Sequence, residues 1–174
     1  MTSIAPTPET APFALSAETA SRFAREVAKY PADQKQSAVM ACLAIVQHEQ
    51  GHVSTAAENA IAAYLGMAPI AVREVTTFYN MYNQQPVGRF KLNVCTNLPC
   101  QLRDGQRALQ HLCTRLGVEL GGTSADGLFT VQQSECLGAC ADAPVMLVND
   151  RQMISFMDND RLDELVDMLR SQPR

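Results

Sequence analysis

The chain is short of several things, and each shortage removes a class of function. It has no basic excess: 14 lysines and arginines face 18 aspartates and glutamates, giving a formal net charge of −4 and a pI near 5.3. Without a positive field, nonspecific nucleic-acid binding has no starting point, so no nucleic-acid partner is expected. Long apolar runs are missing too. The longest, Ala38 to Val46, falls well short of the ~20 residues needed to cross a bilayer, and no direct membrane contact is expected. The first residues carry neither a basic nor an apolar leader segment, and Glu9 and Glu18 argue against a transit peptide. A cytoplasmic location is therefore expected. Charged residues of either sign are sparse, at 18% against a usual ~25%, which suits a chain that covers part of its surface with a partner. No C-x-x-C occurs, so a local dithiol–disulfide catalyst is disfavoured. Nucleotide and flavin motifs are also absent. Gly121-Gly122 and Gly127 lack the Lys-Ser/Thr that follows a phosphate loop and read as a loop. By itself such a chain is not expected to accept hydride.

What is present supports a real core: 47% of the 174 residues are apolar. Residues 1–15, with Pro6, Pro8 and Pro12, read as a flexible tail. Residues 16–86 have helical periodicity. Phe23, Val27 and Tyr30 share one face before Pro31. Val39, Cys42, Leu43, Ile45 and Val46 make a segment apolar nearly all round, stopped by Gly51. Ser54 opens a third helix that places Ala57, Ile61, Tyr64 and Leu65 inward and ends at Gly66. Pro69 opens a fourth, in which Val72, Val75, Tyr79 and Tyr82 keep helical spacing.

After Pro86 and Gly88 the period changes. Phe90, Leu92 and Val94 alternate with Lys91 and Asn93 in a strand that runs into Cys95. Leu109, Leu112, Cys113 and Leu116 mark a helix, and Phe129 and Val131 a second strand leading towards Cys136. Val145–Val148 and Met153–Phe156 flank Asn149-Asp150 as a hairpin with a four-residue turn. A last helix carries Leu162, Leu165, Val166 and Leu169, with Asn159 and Asp160 as cap candidates. The expected fold class is α+β: an N-terminal four-helix segment, then a small domain over 87–174 in the order βαβββα or βαββα, as in thioredoxin-like folds.

Cysteine carries the chemistry. Six are present, at 42, 95, 100, 113, 136 and 140. That is too few for a disulfide scaffold, and grouped cysteines in a reducing compartment bind metal or do redox chemistry. Cys95 with Cys100 and Cys136 with Cys140 each follow a predicted strand, so two loops at one sheet edge can converge. A 2Fe–2S cluster needs two thiolates per iron, the other tetrahedral positions being bridging sulfides. On this reading Cys95 and Cys100 hold one iron, and Cys136 and Cys140 the other. Formal charges sum to about −2 when such a site is oxidised, so it favours donors without bulk. Gly138, Ala139 and Ala141 leave backbone N–H groups free to approach sulfur, while Pro99 and Pro144 stiffen the loops; Pro144 is a candidate cis-proline. A zinc-stabilised interaction module and a thiol redox sensor compete for the same residues, although zinc knuckles usually space their cysteines as C-x2-C.

Four stretches then resemble one family: Tyr64-Leu-Gly-Met-Ala-Pro-Ile70, Glu74-Val-Thr-Thr-Phe-Tyr-Asn-Met-Tyr82, Val94-Cys-Thr-Asn-Leu-Pro-Cys100 and Glu135-Cys-Leu-Gly-Ala-Cys-Ala-Asp-Ala-Pro144. They look like the thioredoxin-like 2Fe–2S subunit of bacterial NADH:quinone oxidoreductase (complex I), the partner of the flavin subunit. The likeness runs from about residue 20 to 170. It implies that Cys95, Cys100, Cys136 and Cys140 are the cluster ligands, and that FMN and NADH belong to a partner flavoprotein subunit. It also implies that the helical segment docks this partner, in the peripheral arm of a membrane-bound complex. Related subunits serve NAD-dependent formate dehydrogenases and NAD-reducing hydrogenases.

Other patterns have plainer explanations. His48-Glu49-Gln50-Gly51-His52 spells H-E-x-x-H, but Gly51 should end the helix before the second histidine could act as a ligand. Cys42 and Cys113 read as core, His111 as a surface helix residue. Met67, Met81, Tyr79 and Tyr82 read as bundle core rather than docking face. Asp158, Asp160, Asp163, Glu164 and Asp167 read as the solvated start of the last helix.

Overall fold

The fold is that of a computed structural model, described over residues 13–173. The chain divides into two compact units between Pro86 and Val87. Of the expected tail, residues 1–12 lie outside the described residues; Phe13 and Leu15 pack against the core of the first unit.

In that unit, helix α1 spans Ala17–Val27, and Ser16 caps it by accepting from the Thr19 N–H at 3.0 Å. Phe23 is fully buried and meets Tyr64 edge-on, with ring centroids 5.2 Å apart. The periodicity that suggested Tyr30 as a third inward residue fails there. The amides of Lys29 and Tyr30 bond to carbonyls three residues back, which tightens the chain before Pro31 and leaves Tyr30 exposed. A 3-10 segment, Ala32–Ala38, then leads into α2, Val39–Gln50. Cys42, Leu43 and Val46 of α2 are completely buried, and side chains of the Leu and Val type contribute about 1.5–3 kcal/mol each by leaving water. Gly51 ends α2 with φ 78°. Helix α3, Thr55–Leu65, is capped by Ser54 and closed by Gly66. Helix α4, Pro69–Phe78, stops sooner than its apolar spacing suggests, with Tyr79 extended at φ −95°, ψ 109°. Tyr82 still reaches the core, but through the turn that follows, and its hydroxyl donates to the Met40 carbonyl at 2.9 Å. A buried carboxylate links α3 to α4: Glu58 accepts from Arg73 at 3.2 Å and from the Thr76 hydroxyl.

The second unit is a sheet of four strands in the order β2-β1-β3-β4. Strand β1, Phe90–Cys95, is parallel to β2, Phe129–Ser134, and antiparallel to β3, Met146–Val148; β4, Gln152–Ile154, completes the hairpin. Helices α5, Leu98–Gln101, and α6, Gly105–Leu116, form the crossover between the parallel strands, and α7, Asn159–Ser171, follows the sheet. Phe90, Leu92, Phe129 and Val131 pack with Leu109, Leu112, Leu162 and Val166 in one core. Strand β1 alternates in polarity, yet all of it is buried. Lys91 lies there because its ammonium stands 2.5 Å from the Asp150 carboxylate, which also accepts from the Asn93 amide.

The hairpin connection is a residue shorter than expected, because Gln152 pairs with Val148. Asn149 and Asp150 both take positive φ, 53° and 55°, as the tight hairpin turns demand. The cap of α7 is also displaced from the expected Asn159 or Asp160: Asp158 accepts from the Arg161 N–H.

Candidate metal centre

Parallel pairing in register, Cys95 opposite Ser134, places the ends of β1 and β2 side by side. Both cysteine pairs follow from those ends. Cys95 is the last residue of β1. Cys100 sits on α5 rather than in an open loop: Asn97 caps this turn by accepting from the Leu98 N–H at 3.0 Å, and Pro99 lies within its first turn. Cys136 lies in the segment after β2, and Cys140 opens a 3-10 turn, Cys140–Asp142, just before the Ala143–Pro144 bond, which is cis.

Hydrogen bonds tie the two loops together. The Cys95 N–H donates to the Val145 carbonyl at 3.0 Å and the Thr96 N–H to the Ser134 carbonyl at 3.1 Å. Gln133 donates to the Thr96 hydroxyl at 2.6 Å, and Asn97 to Glu135 at 2.7 Å. Gly105, which no sequence motif marks, presses on the backbone of both cysteines of the first pair. A Cβ there would stand 2.8 Å from the Cys100 carbonyl oxygen and 2.9 Å from that of Cys95.

The thiols differ in environment. Cys95 and Cys100 are each 1% exposed and cluster with Ala143 and Val145, covered by Leu137 and Ala139. Cys136 and Cys140 are exposed, with sulfurs 3.5 Å apart, and the Gly138 N–H donates to Cys136 Sγ at 3.4 Å from a backbone at φ 81°. Burial pushes the Cys100 thiol up to about 11. Cys136 is drawn below its ordinary value by the Gly138 N–H and then by Cys140, whereas Cys140 is raised by Cys136. Among the described residues no three His, Cys, Asp or Glu side chains are gathered as a ready-made site for a metal ion of any kind. Sulfur donors in two pairs, with a backbone N–H aimed at one of them, are the donor chemistry a dinuclear cluster takes.

The remaining motifs are occupied elsewhere. Helix α2 ends at Gly51, between the two histidines of H-E-x-x-H, and Glu49 accepts from Thr19 at 2.8 Å and from Arg22 at 2.6 Å. Cys42 is completely buried, its thiol pushed to about 12 by that burial. Cys113 is half-buried against the sheet core, and His111 on the same helix pairs with Asp163 at 2.9 Å. The aromatic and methionine group divides: Tyr82 is buried and Met67 half-buried, whereas Tyr79 and Met81 are exposed. No helix among the described residues is long and apolar enough to cross a membrane.

Known proteins resemble this chain in sequence and in fold. The chain is 41% identical over 147 residues to a subunit of the NADH-quinone oxidoreductase of Rhizobium meliloti, covering 84% of this chain and 86% of that protein. It is 37% identical over 147 residues to the NADH-quinone oxidoreductase subunit 2 of Thermus thermophilus, covering 84% and 81% respectively. An NAD+-reducing nickel–iron hydrogenase in the air-oxidised state shares the fold at a TM-score of 0.65 and 20% identity, over 79% of this chain and 23% of that one. The family model described as thioredoxin-like 2Fe–2S ferredoxin matches residues 23–170. With nearly the whole described chain matched and close to full-length relatives above one-third identity, the chain belongs to the thioredoxin-like 2Fe–2S ferredoxin family.

Proposed function

We propose that this chain is the electron-transfer subunit of an NADH:quinone oxidoreductase, taking one electron from reduced FMN held, together with the NADH site, on a partner flavoprotein subunit. The observation that supports the proposal is the placement of two cysteine pairs on segments that follow the ends of adjacent parallel strands, in a chain whose relatives are named as subunits of that enzyme. Cys95 and Cys100 hold one iron, Cys136 and Cys140 the other. When bound, a 2Fe–2S cluster supplies one-electron chemistry that no side chain of this protein can. The chain's own residues set its surroundings. Leu137, Ala139, Ala143 and Val145 exclude water from the inner pair. Gly138 offers an N–H to the outer pair, and Gly105 holds the two inner carbonyls at close range.

The organisation proposed is a four-helix docking segment over 16–86, to whose core Phe13 and Leu15 also contribute, and the cluster domain over 87–174. The docking surface is assigned to the exposed apolar side of the helical unit, where Phe78 is 80% exposed and Ile70 64%. The assembly is placed in the cytoplasmic peripheral arm of a membrane-bound complex.

The test is a visible spectrum of anaerobically purified full-length chain, with iron and acid-labile sulfide counted on the same sample. A brown protein with equal iron and sulfide, pulled down with a flavoprotein from its own host, is the expected outcome. A colourless protein containing zinc and no sulfide would replace this reading with that of a structural module.

A further inference from the structure

The two cysteine pairs differ in what can reach them. Cys95 and Cys100 lie beneath Ala143, Val145, Leu137 and Ala139, whereas Cys136 and Cys140 are open, with Sγ atoms 3.5 Å apart. A disulfide holds its sulfurs at about 2.05 Å, so the outer pair must close by roughly 1.5 Å. Side-chain rotation in this segment can supply that movement. The segment lies beyond the last paired residue of β2, and around Gly138 there is open space. Thiol–disulfide exchange also needs the attacking sulfur in line with both sulfurs of the oxidant. The outer pair can satisfy that requirement; the covered pair cannot.

We propose that in the cluster-free chain Cys136 and Cys140 are a redox-modification site, forming a reversible intramolecular disulfide by exchange with a low-molecular-weight disulfide, and that this bond blocks cluster loading until it is reduced. One thiolate of the pair, its proton lost to solvent, attacks a sulfur of the oxidant. The oxidant's S–S bond breaks and one small thiolate leaves, giving a mixed disulfide. The other cysteine, as thiolate, attacks the protein sulfur of that intermediate and expels the second small thiolate. The two cysteines thereby lose a pair of electrons and their protons, and the oxidant is reduced to a pair of thiols. The proposal rests on the assignment of these residues as cluster ligands, because loading fails only if both outer sulfurs are needed for it.

The experiment uses the full chain, stripped of iron anaerobically with a chelator and incubated with oxidised glutathione before digestion and mass mapping. The intact mass should fall by a pair of hydrogens, and the peptide carrying Cys136 and Cys140 should contain an internal bond. Cys95 and Cys100 should stay alkylatable after denaturation. Iron and sulfide uptake should return only after a reductant is added. In Cys140→Ser, glutathione should remain attached at Cys136. A bond between Cys95 and Cys100, a stable glutathione adduct on the unaltered chain, or no mass change would overturn the proposed bond. Full uptake by the oxidised chain would overturn the block on loading. If the reduced chain takes up no iron or sulfide, the ligand assignment fails, and with it the loading half of the proposal, while the disulfide map still decides whether the bond forms.

Discussion

Gly105→Ala tests whether the backbone behind the inner thiols is as tight as the structure shows. Gly105 begins α6, and its φ is not positive. Alanine is therefore conformationally allowed, and at an uncrowded site it would stabilise by about 0.4–1 kcal/mol through the unfolded chain. Here the new methyl would meet the Cys100 carbonyl oxygen at 2.8 Å, and the Cys100 carbonyl carbon and Cys95 carbonyl oxygen at 2.9 Å each. All of these are backbone atoms, so no rotamer change relieves the contact. Overpacking of this kind costs about 1–3 kcal/mol, which leaves a net loss on the order of 1–2 kcal/mol. For a unit of this size that is a fall in Tm of roughly 5–15 °C.

The assay is thermal unfolding of the cluster-free full chain followed by far-UV circular dichroism, with iron and sulfide counted after reconstitution. Because the displaced carbonyls belong to Cys95 and Cys100, loading should fall along with stability. Gly127→Ala separates the two effects. Gly127 has φ 70° and open space around it, just before β2 begins, whereas the cysteine segments follow the far ends of β1 and β2. Its variant should lose about 1 kcal/mol to left-handed strain yet load normally. A Gly105→Ala chain that melts higher than the parent, or that loads fully, would refute the argument.

Cys100→Ser should abolish iron and sulfide binding, because it exchanges a soft thiolate for a hydroxyl. Cys42→Ala should cost ~1 kcal/mol of core packing and leave iron content unchanged; equal iron loss in both would show Cys42 to be more than core. The Asp163 carboxyl is held below its ordinary value of 3.8 by His111 first and Arg115 after it. A depressed folded value means that its stabilising contribution is complete above the unfolded value and is lost as pH falls through the folded one. His111→Ala should therefore flatten the acid side of a stability-against-pH curve below about pH 4, and a curve superimposable on the parent's would remove the pair from the account.

The parts legible in the sequence were those whose signals are local. Gly51 and Gly66 announce their helix ends because a left-handed residue without a Cβ is what terminates them. The alternation from Phe90 marks β1, and the position of Cys95 at its end follows. Tyr79 shows how a correct local pattern misleads. Its spacing continues the helix, but the hydroxyls of Thr76 and Thr77 bond back to the Arg73 carbonyl, a competition that weakens the last turn of α4. Helix α5 is too short to have a period, and only the Asn97 cap with Pro99 behind it gives it away. The burial of Lys91 depends on Asp150, and the closeness of Gly105 to two carbonyls depends on how α6 meets β1; neither leaves a mark in nearby residues.

The same division runs through the cysteines. Their spacing after two strands conveys which sulfurs are neighbours, because pairing is set by the short segments that carry them. Which sulfurs meet water is decided by Ala143 and Val145 packing over the inner pair, a tertiary event to which spacing is blind. A sequence pattern can thus nominate four equivalent ligands, whereas the fold makes them unequal: a covered pair that small oxidants cannot approach and an open pair that they can. That inequality follows from the fold alone. The selectivity of glutathione for Cys136 and Cys140 in the cluster-free chain therefore tests the fold independently of the metal.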